Sequence, residues 1–174
     1  MDTPGFNATS LSQRAVLRKA AEWLESTCVT PFIPGQALTH SRYQMAIELT
    51  GVIYLRRITD TYSSGAEQQS FRIFSGMCGM QAADRVRLVT TMWDKVDDDT
   101  SALQTQSRLE AEWGSLLSAG ALYRNFYNTS ESAWEIVDEL GYERKALLFQ
   151  LELVNMKKKL EETTAGMRAP EYEV

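Results

Sequence analysis

Val86-Arg87-Leu88-Val89-Thr90-Thr91 decides the fold, because it reads as a strand and is followed at once by Met92-Trp93-Asp94-Lys95 and the acidic loop Asp97-Asp98-Asp99-Thr100. Leu103, Leu109, Trp113, Leu116 and Leu117 then mark a helix that Gly120 ends. Upstream, Gly51-Val52-Ile53-Tyr54-Leu55 is a short apolar run rich in β-branched and aromatic residues, followed by charged Arg56, Arg57 and Asp60. It predicts a buried, parallel-type strand. Between these two strands, residues 66–77 place Phe71, Phe74 and Met77 on one helical face, with Gly79 able to stop the helix. Downstream, Leu122-Tyr123-Arg124-Asn125-Phe126 reads as a third strand, and Ser130 or Ser132 can cap a helix reaching Leu140. At the front, Ser10-Leu11-Ser12-Gln13 has the form of a capping box, with Leu17, Ala20, Ala21 and Leu24 behind it at helical spacing. The order helix, strand, helix, strand, helix, strand, helix predicts an α/β domain, three-layered around a mostly parallel sheet.

Two segments fall outside this alternation. Residues 29–42 carry Pro31, Pro34, Gly35, Thr39, His40 and Ser41 with little periodicity and read as an irregular insertion. They interrupt what would otherwise run from WLESTC into YQMAIELTGV, and their ends can be encoded by a GT donor and a CAG or TAG acceptor. A retained intron and a variable loop both fit. Residues 142–164 place Ala146, Phe149, Leu153, Met156 and Leu160 at steps of three and four, which predicts one amphipathic C-terminal helix. That helix would dock on its own domain or begin a longer one, with pairing between chains as the alternative. Residues 165–174, with Gly166 and Pro170, read as a flexible tail, which leaves 1–141 as the main domain.

The 174 residues are 44% hydrophobic and 24% charged, in keeping with one ordinary domain. A net charge of -5 argues against a broad basic surface, so neither nucleic acid nor anionic lipid is an expected partner. Cys28 and Cys78 have no CxxC spacing and read as thiols in a reducing compartment. No apolar run approaches the roughly 20 residues of a membrane helix, and Met1-Asp2-Thr3-Pro4-Gly5 does not read as the basic start of a signal peptide. A cytoplasmic protein without a membrane span is the expectation. His40 is the single histidine, which excludes a multi-histidine metal site and leaves one base for any Ser-His or Cys-His arrangement.

In a layered parallel sheet, ligands bind beyond the carboxyl ends of the strands. Asp2-Thr3-Pro4-Gly5 has the D-x-x-G form in which an Asp reaches Mg2+ through water and a Gly N–H meets a terminal phosphate; a simple turn is its plain reading. Thr91-Met92-Trp93-Asp94 is similar to the [N/T]-K-x-D element whose Asp accepts from the guanine edge, with Met92 in the Lys place. Its plain reading is an acidic loop leading into a helix, with Trp93 as an anchor of that loop. Tyr127-Asn128-Thr129-Ser130, after the third strand, lies where nucleotide-binding sheets bring a loop to the base, and a helix cap at Ser130 is the plain alternative.

Taken in order, the Asp2-Thr3-Pro4-Gly5-Phe6 start, VLRKAAEWLEST, LTGVIYLRRITD, FRIFSGMCG, VRLVTTMWDKV, YNTSESAWEIVDEL and LFQLELVNMKKKLEETTAG resemble the second half of fungal G-domain proteins related to the avirulence-induced and immunity-associated GTPases, septin-like and TRAFAC-class. The resemblance implies a P-loop sheet binding GTP or GDP with Mg2+. Asp2 and Gly5 would serve the magnesium and phosphate loop, with Asp2 reaching Mg2+ through water, and Thr91 and Asp94 would serve the base loop. No catalytic residue is carried over. No G-x-x-x-x-G-K-[ST] occurs, and the switch threonine expected before Asp2 is missing, so a shortened gene product, weak or inactive as a GTPase, is the expectation. The Gly51 strand would then lack its neighbour and invite self-association or an intact homologue. A small interaction module, binding through that edge or the C-terminal helix, is the alternative.

Overall fold

The computed structural model describes residues 11–27, 49–60 and 65–170. Asp2, Gly5, Cys28, His40 and the insertion at 29–42 lie outside them. The elements are α1 (Gln13–Thr27), β1 (Val52–Arg57), α2 (Gly65–Cys78), β2 (Val86–Thr91), α3 (Asp99–Ser118), β3 (Leu122–Asn125), α4 (Ser130–Asp138), α5 (Leu148–Gln150) and α6 (Thr164–Arg168). The chain is α/β, and the three strands among the described residues form a parallel sheet in the order β1-β2-β3. Among the described residues no helix is long and apolar enough to cross a membrane.

Two compact units divide these elements, and neither matches the expected boundary at residue 141. The sheet unit comprises residues 49–68 and 80–145; the other gathers α1, residues 69–79 and residues 146–170. The expected main domain therefore loses α1 and most of α2. The reason is that the apolar stripe of α1, with Leu17 and Leu24 buried, packs against α5, the turn that follows it and α6.

In the sheet unit, β2 is central and its first five residues are buried. Register places Tyr54, Leu88 and Tyr123 in one row across the three strands. Trp113 of α3, with no exposed surface, covers that row, its ring 6.2 Å from Tyr54 edge-on and 5.7 Å from Tyr123. Burial of so large an aromatic fixes α3 on this face. On the opposite face stand Arg87 of β2 and Arg124 of β3, and both reach Glu139 at the end of α4. Arg124 grips its carboxylate through Nε and Nη2 at 2.8–2.9 Å, and the nearly buried Arg87 also donates to the Glu139 and Asp84 carbonyls. Cations at a helix C-terminus complement its dipole.

The β1 strand departs from the expected buried strand. Ile53 is 37% and Leu55 64% exposed, while Tyr54 and Arg56 turn inward, and the strand continues through Arg57. The cause is topological: among the described residues β1 is an edge, and α3 covers only its Tyr54 face. Two caps bear on the expectations. Ser12 caps α1, its Oγ accepting from Ala15 N at 3.0 Å, while Ser10 lies outside the described residues. Thr129 rather than Ser130 or Ser132 caps α4, accepting from Ser132 N at 3.1 Å.

The single helix expected over 142–164 does not form. Residues 142–147 carry no helix, and α5 widens after three residues into a π turn, Leu151–Asn155, closed by Met156 N donating to Leu151 O at 2.9 Å. Lys157 then takes φ 52°, and a 3-10 turn, Leu160–Glu162, precedes α6. The buried Glu152 is the cause. Its carboxylate accepts from Lys158 Nζ at 2.8 Å and from Thr164 N and Oγ1 at 2.9 Å, contacts that require the chain to reverse after Asn155. Met156, expected on the apolar stripe, is 59% exposed. Nor is 165–170 a loose tail. Ala165 and Gly166 are buried, Gln69 Nε2 donates to Arg168 O, and a Cβ on Gly166 would overlap the Leu160 carbonyl.

Burial alone would raise the Glu152 carboxyl, but the hydrogen bonds from Lys158 and Thr164 outweigh it and hold it below the usual glutamate range. A depressed folded-state value means that stability is present above the unfolded pKa, about 4.3, and is lost as pH falls through the folded value. Glu152→Gln should therefore cost about 1–3 kcal/mol at pH 7 in urea unfolding and progressively less at acid pH. Equal stabilities at pH 7 would contradict the role given to this carboxylate.

Candidate functional site

The carboxyl ends of β2 and β3 lie side by side, and Thr90 is their hub. Its side chain is fully buried. The hydroxyl donates to Asn125 Oδ1 at 2.9 Å and accepts from Trp93 Nε1 at 3.1 Å. Tyr123 Oη lies 2.8 Å away and, since Thr90 has spent its one hydrogen, is the donor in that contact. Asn125 Nδ2 in turn donates to Tyr127 Oη at 3.2 Å. Burial raises the Tyr123 phenol above its ordinary value, with the Thr90 contact opposing. Burial likewise pushes Tyr54 up to about 12, against the pull of Arg56, so both phenols are neutral at pH 7.

Met92 adopts φ 64°, a left-handed turn that ends β2 and starts the short 3-10 turn Trp93–Lys95. This kink brings the Trp93 indole back toward Thr90. It also sets the Trp93 ring 6.1 Å from that of Tyr127, inclined at 51°. Asp94 is exposed and 3.5 Å from Lys95 Nζ. Thr91 donates its hydroxyl to the Arg56 carbonyl on β1 at 3.5 Å, so it faces β1 rather than Asp94. The structure thus brings Asp94, Trp93 and the Tyr127 loop to one end of the sheet, while Asp2 and Gly5 lie outside the described residues.

Beside this loop is a cleft of about 220 Å³ lined by Ile58, Lys95, Asp97, Asp98 and Thr105 among others. It opens at the start of α3, where Asp98 already accepts from Thr100 N at 3.0 Å, Ser101 N at 3.2 Å and Ser101 Oγ at 2.6 Å. The Ser101 hydroxyl and then the two amides hold the Asp98 carboxyl below the usual range. A helix start whose amides serve its own carboxylate, with Asp97 adjacent, does not offer a phosphate its usual partners. Among the described residues no group of three or more His, Cys, Asp or Glu is placed to hold a metal ion. Cys78 is buried with a free thiol, which burial pushes up and keeps protonated.

Sequence reasoning found Asp94, Trp93 and the Tyr127 loop but missed Thr90, Tyr123 and Asn125. For Tyr123 and Asn125 a signal was there, the Tyr-x-Asn alternation of β3, which puts both side chains on one face. No protein family, curated protein or solved structure matches the chain.

Thr90→Val keeps the shape of the side chain and strips its hydroxyl, leaving Trp93, Tyr123 and Asn125 without their shared partner. Urea unfolding should show a loss of about 1–3 kcal/mol, and Thr90→Ser should recover most of it. A silent Thr90→Val would remove the hub.

Proposed function

We propose that this chain is a G-domain relative, three-layered and P-loop-derived by ancestry, that holds a guanine base weakly beyond β2 and β3 and does not hydrolyse GTP unaided. The observation carrying this reading is the exposed Asp94 carboxylate on the loop directly after the central parallel strand, with the Tyr127 loop beside it. A carboxylate there can accept from guanine N1–H and N2–H together, a pair of donors that adenine lacks. Phosphate and magnesium contacts supply most nucleotide affinity and the electrostatic part of catalysis, and the 174 residues contain no G-x-x-x-x-G-K-[ST]. Asp2 and Gly5 are the residues to which the family resemblance assigns Mg2+ and the terminal phosphate. No hydrolytic step is assigned to any residue.

Calorimetric titration with GTP, GDP, GMP and guanosine in Mg2+ tests this. All four should bind alike, no tighter than about 100 μM, because only the base is held. A micromolar or tighter constant for GTP would overturn the weak-binding reading, and no binding of guanosine would overturn the base site itself.

A second reading, an interaction module, is favoured by the outward Ile53 and Leu55 on β1, whose other edge pairs with no strand among the described residues. Unpaired edges of this kind template association with a second copy or an intact homologue. Sedimentation at tens of micromolar, roughly, should show self-association that Leu55→Lys reduces. A stable monomer would remove this reading.

A further inference from the structure

Tyr127 is held from three directions and yet left open. Its backbone N donates to Ser132 Oγ at 3.2 Å, its phenol oxygen accepts from Asn125 Nδ2, and its ring leans on Trp93, itself tied to Thr90. A tyrosine so thoroughly anchored for structural reasons alone would be expected to bury its ring. This one is 55% exposed. Both aromatic residues stand at the carboxyl ends of adjacent parallel strands, where open sheets take their ligands. The Lys place of the base-reading element is Met92, 43% exposed and turned by its left-handed backbone, so no cationic stem offers a surface along a base here.

From this we infer that Tyr127, braced by Trp93, is the stacking platform of the site and takes the flat face of a purine; the inference rests on the reading of this end of the sheet as a base site. Stacking needs only a π face and is indifferent to the substituents of the base edge, whereas Asp94 reads that edge. The two residues therefore divide the work. Tyr127 supplies affinity for any purine, and Asp94 supplies the preference for guanine. A ring held at its hydroxyl, its backbone and one side loses little freedom when a base covers the remaining side, which is what makes a platform effective.

The indole N–H resonance of Trp93 reports on the platform directly, and guanosine, adenosine and ribose are the probes. Guanosine and adenosine should shift it and ribose should not. Tyr127→Leu should weaken both nucleosides alike by about tenfold, and Tyr127→Phe should stay within about twofold, because the ring rather than the hydroxyl makes the stack. Asp94→Ala should bring guanosine down to the level of adenosine and leave adenosine unchanged. If Tyr127→Leu, folded by circular dichroism, binds both nucleosides normally while Asp94→Ala still loses guanosine, the platform is overturned and the guanine site stands. If Tyr127→Leu loses both but the protein never preferred guanosine, the platform stands and the guanine reading falls. Failure of every nucleoside to shift Trp93 at millimolar concentration would overturn the platform.

Discussion

Trp113 is the contact on which the sheet unit depends. Fully buried, it presses on Tyr54 of one edge strand and Tyr123 of the other, so that one side chain of α3 spans the row that crosses β2 at Leu88. That single contact fixes the helix on the face and the two tyrosines in their rotamers. Tyr123 then does a second thing, because its hydroxyl reaches Thr90 two residues further along β2. The apolar core and the polar hub at the sheet's end are thereby joined through one residue. Loosening the Trp113 contact would free Tyr123 and, with it, one of the hydrogen bonds that holds the loop after β2.

From this hub, and from Ser132 of α4, the loops take their positions. Thr90 holds Trp93 and Asn125, and Asn125 and Trp93 between them hold Tyr127. The arrangement is preorganised in the sense that the Thr90 hydroxyl, the Trp93 indole N–H, the Tyr123 hydroxyl and the Asn125 amide hydrogen-bond within the protein, leaving a ring and a carboxylate facing solvent. On the opposite face of the sheet, arginines from β2 and β3 converge on Glu139 at the end of α4. That face is tied down, whereas the carboxyl end leaves a ring and a carboxylate exposed.

Much of this was legible before any coordinates. The six residues of β2 were read at their true bounds because they are apolar, β-branched and followed at once by an acidic loop, and the helix after Asp97 was legible because Leu109, Trp113 and Leu116 keep to one face. Residues 142–164 were not, since their spacing of three and four satisfies a helical stripe while the decisive residue is Glu152, whose burial and three hydrogen bonds no periodicity records. The β1 strand was misjudged because an apolar run looks the same in a central strand and at an edge. Asp94 and Trp93 could be found by the form of their loop. Thr90 could not, because its importance lies in partners 33 and 35 residues away.

The central claim, that the carboxyl ends of β2 and β3 form a purine site faced by Tyr127, is most directly tested by intermolecular nuclear Overhauser effects in the protein saturated with guanosine. Cross-peaks from the purine H8 to the Tyr127 ring protons, with none to the Ile53 and Leu55 methyls of β1, are the expected result. Cross-peaks that place the base against β1, or in the cleft at the start of α3 away from Tyr127, would contradict it.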